Sequence, residues 1–217
     1  MFPIARTVTI SSSELVPNAP RAHLVERRAA RLSYAAAMPA PHSTPTWSVA
    51  GLRLPKALEN DERGTALHAA LRESTRKLWP GGALLVPTGA WTPALASVLS
   101  DAQRQGLLVR GLEAVERTLE REARGLSMVD AKSTTERGSR VSRLVLLSRD
   151  GTERFYRQVE RLVGAQGPRL LAITLDADSG QFAATVPDAS GVVRALLLEH
   201  KDFVARALLS LYPSASG

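Results

Sequence analysis

Between Ser139 and Gly180 the chain has the pattern of a strand, a helix and a second strand, and that order limits what the rest can be. Val141 to Ser148 is apolar apart from Ser142, Arg143 and the closing Ser148. A short Val/Leu run bounded by polar residues suits a strand buried on both faces. Asp150-Gly151 ends it, and Asp150 with Glu153 has capping-box-like spacing, so a helix is expected from Gly151 or Thr152. Phe155, Val159, Leu162 and Val163 step i, i+4, i+7, i+8 and form its expected core stripe. Gly164, Gly167 and Pro168 stop it, and Leu170 to Leu175 is the second apolar run. Strand, crossover helix and strand favour a parallel pair with a right-handed connection, which belongs inside a sheet.

A second unit of this kind precedes the first. Ala83 to Pro87 is an expected strand, and Thr92 as N-cap with Pro93 at the first helical position starts a helix. That helix buries Leu95, Val98, Leu99 and Ala102, ends at Gly106, and leads into a strand at Leu107 to Leu112. Upstream, Trp47 to Pro55 alternates like an edge strand, and a helix is expected from Asn60 or Asp61 to about Leu78. Glu113 to Leu126 is a charge-laced outer helix with Val115, Leu119 and Leu126 inward and with the i,i+4 pairs Glu113–Arg117 and Glu120–Arg124. After Leu175, two turn-like stretches, Asp176 to Gly180 and Pro187 to Gly191, bracket Phe182 to Val186 and precede Val192 to Leu198. These two runs are read as an antiparallel meander, and Asp202 to Tyr212 as a closing helix. The expected fold is therefore α/β: a layered mixed sheet built from two strand-helix-strand units, plus a C-terminal antiparallel meander and closing helix. With 217 residues, 44% of them hydrophobic, one such core over residues 47–212 is affordable, followed by a tail at 213–217.

Residues 1–46 are read as a flexible basic leader, because Pro3, Pro17, Pro20, Pro39, Pro41 and Pro45 interrupt any long element. One short helix is expected from Ala22 to Ala37. An organellar import leader is the minority alternative, and a natural start at Met38 a third; a secretory signal fails for want of an apolar core after Arg27-Arg28. The default location is cytoplasmic. There is no run of 18 apolar residues to span a membrane, and the lack of cysteine excludes disulfides, thiolate metal sites and cysteine nucleophiles.

Charge is the strongest functional signal. The net charge is +7, and all but Lys56, Lys77, Lys132 and Lys201 of the 28 basic residues are arginine. Residues 137–169 hold eight arginines against Asp150, Glu153 and Glu160, which is +5 of that total. Arg154, Arg157 and Arg161, at i, i+3 and i+7, share one helix face opposite the apolar stripe, the geometry of a phosphate-contacting surface. With Arg149 and Arg143 they are the candidate anion-binding residues. A solvated outer face with Glu153 and Arg157 paired accounts for the same stripe, and an arginine bias runs through the whole chain. The expected partner is anionic: DNA, RNA or an acidic protein. At 5% aromatic residues, a base-stacking platform for single strands is disfavoured.

The competing reading is catalytic. Asp176 and Asp178 follow an apolar strand at the end where open α/β sheets place ligands, as a phosphoester-handling hydrolase would have them. Such a site expects a helix after the strand and further Lys and Asp partners, whereas a hairpin turn accounts for both aspartates and Gly180. No Walker loop or Gly-x-Gly-x-x-Gly motif is present, and His23, His42, His68 and His200 are isolated, so no metal or cofactor is expected. Thr88-Gly89 and Asp150-Gly151-Thr152 suit an anion cradle or ordinary turns equally. The sequence thus favours a non-catalytic binding or assembly protein over an enzyme.

Overall fold

The computed structural model of the chain describes residues 49–130, 139–186 and 191–212. The expected leader at 1–46, the tail at 213–217 and most of the turn expected at Pro187 to Gly191 lie outside these residues.

In chain order the strands are β1 (Thr75–Lys77), β2 (Leu85–Ala90), β3 (Leu108–Arg110), β4 (Arg143–Leu147), β5 (Leu170–Asp176) and β6 (Ala195–Leu198). The helices are α1 (Lys56–Glu59), α2 (Arg63–Glu73), α3 (Pro93–Arg104), α4 (Leu112–Asp130), α5 (Glu153–Gln166), α6 (Ser179–Thr185) and α7 (Lys201–Leu211). The strands form one open mixed sheet in the order β1-β2-β5-β4-β6-β3. As the hydrophobic runs imply, β4 and β5 pair in parallel, Leu144 opposite Leu171 and Leu146 opposite Ile173, with α5 crossing between them. β2 is parallel to β5, whereas β6 is antiparallel to both β4 and β3.

Strand alternation divides the core in two. Leu144, Leu146, Leu171, Ile173 and Leu196 face the layer of α1, α2, α3, α6 and α7, while Val145, Leu147, Ala172 and Leu197 face α4 and α5. The chain therefore leaves β4 into α5 on one side of the sheet and leaves β5 into α6 on the other. Neighbouring parallel strands that part in this way open a crevice at their C-terminal ends.

Four local expectations are corrected. The described part of the expected Trp47 to Pro55 edge strand, from Val49 on, is not a strand: Val49–Gly51 is a 3-10 turn, and Arg53 makes a lone bridge to Arg140. Burial of Val49, Leu52 and Leu54 in the first core layer is better met by a bent chain than by a straight edge. The second helix stops at Glu73, and Thr75–Lys77 pairs antiparallel with β2. The change takes Leu78 across to the α4–α5 layer, while Leu67 and Leu71 remain on the opposite one. Phe182 to Thr185 is helical, because Asp178 and Gln181 form a capping box and Phe182 is fully buried; β6 alone supplies the antiparallel strand there. Finally, α5 is capped by Thr152, whose Oγ1 accepts from Phe155 N at 3.3 Å, and its inward stripe is Tyr156, Val159, Leu162 and Val163, with Phe155 half-buried. The second strand-helix-strand unit is present but splayed, since β3 sits at the far edge beside β6. Among the described residues no helix is long and apolar enough to cross a membrane.

Candidate functional site

The loop leaving β4, Ser148 to Thr152, is pinned by Tyr156. Its hydroxyl donates to the Ser148 carbonyl at 2.9 Å and accepts from the Gly151 amide at 3.1 Å. Burial pushes the Tyr156 pKa up, which keeps the donating proton in place. Asp150 holds the loop to the start of α6, accepting from Ser179 Oγ at 2.6 Å and from Ser179 N at 3.1 Å. Arg194 Nε donates to the Asp150 carbonyl at 3.2 Å. Burial alone would raise the Asp150 pKa, but the Ser179 hydroxyl, the nearby Ser148 hydroxyl and Arg194 outweigh it and leave it lowered. Ser148 Oγ is fully buried and, despite that proximity, makes no hydrogen bond of good geometry.

The two aspartates are not brought together. Asp176, at the end of β5, takes Arg149 Nη1 at 2.5 Å, and both side chains are more than half exposed. Asp178 turns to the opposite layer as the N-cap of α6, accepting from Gln181 N at 2.9 Å. Among the described residues no group of three or more His, Asp or Glu side chains is placed to hold a metal ion.

The arginines separate as well. Arg143 lies at the other end of β4, with Nε 2.8 Å from Glu122 Oε2, and Arg169 reaches the same carboxylate at 3.5 Å. Arg143 is thus part of an ion-pair cluster and not of a surface with Arg149. Arg154, Arg157 and Arg161 do share the outward face of α5. Arg157 pairs with Glu153, and its guanidinium sits 5.1 Å from the Trp79 ring centroid. Arg154 and Arg161 are exposed and make no ion pair among the described residues; two helical turns, about 10 Å, separate them.

Beside α5 lies a cleft of about 560 Å³. Trp79, Pro80 and Gly81 from the β1–β2 hairpin form one wall, Gly151, Glu153 and Tyr156 the other, Thr174 of β5 the floor, and Arg149 the rim at the C-terminal crevice. It exists because α5 covers only part of its side of the sheet, leaving β2 to the hairpin turn. The turn closes with Gly82 N donating to Trp79 O at 3.0 Å. Glycine at 81 and 82 lets the indole lie against the turn, since a β-carbon would fall 2.3 Å and 2.4 Å from its atoms and displace it.

Sequence reasoning missed Trp79, Tyr156 and Thr174. Trp79-Pro80-Gly81-Gly82 signals a stop, and nothing in that string indicates that the turn folds over α5. The i, i+3, i+7 spacing of Tyr156, Val159 and Val163 was an available signal for Tyr156. The chain matches no protein-family model, and no curated protein matches it.

Proposed function

We propose that the protein is a non-catalytic binding protein whose anionic partner, a nucleic-acid phosphate backbone, docks on the outward face of α5. The observation that carries this reading is the pair Arg154 and Arg161, exposed on one face without a carboxylate among the described residues. Arg157 between them is partly neutralised by Glu153 but remains at the surface beside Trp79. Unpaired arginines on one helix face contribute little to folding and suit phosphate oxygens, which their planar fork contacts at two points. A cytoplasmic setting accords with such a partner.

The test uses Arg154→Glu with Arg161→Glu, sparing Arg157 because it is engaged with Glu153 and Trp79. Fluorescence anisotropy with duplex DNA and structured RNA is expected to show binding that weakens as salt rises, with a log-log slope of about 0.9 per neutralised phosphate on duplex DNA. The double reversal is expected to abolish binding or to flatten that slope by about two contacts. Binding indifferent to both salt and reversal overturns the reading, and binding to polyglutamate but not to nucleic acid moves the partner to an acidic protein.

A further inference from the structure

We propose that the cleft between the Trp79–Gly82 turn and the start of α5 binds a small planar molecule with an anionic head, a carboxylate or phosphate that Arg149 receives at the rim. This site is separate from the outward face of α5 and stands whether or not that face binds a macromolecule. Its position is where open α/β sheets take ligands, outside the carboxyl ends of parallel strands whose connections part to opposite faces. Its volume, about 560 Å³, falls within the range of small-molecule sites.

The lining has two characters. Leu78, Trp79, Pro80 and Tyr156 give stiff, largely apolar walls suited to a flat body. Arg149 gives a cation at the mouth, and the N-terminus of α5 opens on the same rim through Gly151 and Glu153, where its dipole favours negative charge. The carboxylate of Glu153 on that rim is countered by Arg157.

Two further features suit a ligand with an anionic head. Thr174 Oγ1 is shielded from solvent and has no hydrogen-bond partner. Thr174 lines the cleft, and a ligand seated on it offers that hydroxyl a partner. Asp176 meanwhile occupies Arg149 as a carboxylate ligand would, through a single guanidinium nitrogen at 2.5 Å. At 58% and 72% side-chain exposure this pair is screened by water, so an incoming anion displaces Asp176 readily and leaves it solvated.

Because Asp176 competes with the ligand, its removal and that of Arg149 act in opposite directions. Calorimetric titration of the full chain uses adenosine monophosphate for the phosphate head, indole-3-acetate for the carboxylate head, and inorganic phosphate and adenosine for the separate halves. At least one two-part probe is expected to bind at a single site, with each half about tenfold weaker or more. Tighter binding of adenosine monophosphate assigns a phosphate head, and tighter binding of indole-3-acetate a carboxylate. Arg149→Ala is expected to weaken the bound probe about tenfold, and Asp176→Asn to tighten it severalfold by freeing the guanidinium. Thr174→Val is expected to weaken binding without lowering the melting temperature. Failure of both two-part probes to bind below about 1 mM overturns the proposal. So does affinity unchanged by Arg149→Ala, or weakened by Asp176→Asn in a folded variant.

Discussion

Glu160 on α5 accepts the indole N–H of Trp79 at 2.9 Å through one oxygen, while its other oxygen accepts the amides of Ala83 and Leu84, both at 2.8 Å. One carboxylate therefore fixes a side chain and the following backbone of the hairpin to the helix that crosses from β4 to β5. The wall of the cleft is set by this clamp and not by strand pairing, because β1 is a three-residue edge strand. Any measurement on the cleft is also a measurement on the clamp.

Glu160→Ala leaves three donors without their acceptor. Bonds to a charged acceptor contribute about 1.5–3 kcal/mol each when shielded, and partial exposure here discounts the sum, so a loss of about 2 kcal/mol is expected. Chemical denaturation checks the magnitude. Red-shifted emission that Trp79→Phe abolishes would locate the change at the hairpin.

The clamp also titrates. Burial pushes the Glu160 pKa up, but the Trp79, Ala83 and Leu84 donors outweigh it and leave it lowered. A carboxyl lowered on folding contributes stability that is present above its unfolded pKa, about 4.3, and is lost as pH falls through the folded value. The stability gap between the native chain and Glu160→Gln is therefore expected to be constant above about pH 5 and to narrow as the pH falls below about 4. Asp61, held at about 2 by hydrogen bonds from Arg63, keeps its contribution to lower pH. Denaturation midpoints from pH 2 to 7 test the order of the two losses.

Legibility in the sequence followed the range of the interaction. The parallel pair of β4 and β5, the Thr92 cap, the Gly106 stop and the closing helix were all readable, because each rests on a few neighbouring residues or on a period. The Asp178–Gln181 capping box was present in the sequence but was outweighed by the apolar residues after it and by two flanking turn signals. Thr75–Lys77 carried almost no strand signal, since its pairing depends on β2 and on where Leu78 must go. At the site, the shared face of Arg154, Arg157 and Arg161 was legible from spacing alone. The Arg143–Glu122 and Arg149–Asp176 pairs were not, because they join residues 21 and 27 positions apart.

Gly64 tests a close approach between two short helices. A β-carbon there would lie 2.0 Å from the Leu58 carbonyl oxygen, a backbone atom that moves only if α1 moves. Alanine raises helix propensity by about 1 kcal/mol, while overpacking costs about 1–3 kcal/mol. The backbone contact puts this site at the upper end, so Gly64→Ala is expected to lose about 2 kcal/mol in a thermal melt. A stabilised variant would show that α1 yields freely.

Asp178 separates a structural role from a catalytic one. As N-cap it accepts from Gln181 N, and the Gln181 side chain accepts from Asp178 N at 3.1 Å, so the box satisfies two amides at the start of α6. Asparagine caps nearly as well, and Asp178→Asn is expected to stay within a few tenths of a kcal/mol of the native stability, whereas Asp178→Ala loses about 1 kcal/mol. A hydrolase that attacks phosphoesters with Asp176 or Asp178 behaves otherwise, because asparagine preserves the fold but removes the nucleophile or metal ligand. Hydrolysis of p-nitrophenyl phosphate by the native chain and by the folded double variant Asp176→Asn/Asp178→Asn separates the two readings. The expected result is background turnover in both, since Asp176 faces Arg149 and Asp178 faces its own helix. Turnover well above background in the native chain that collapses in the folded double variant would assign the aspartates to catalysis and set the binding reading aside.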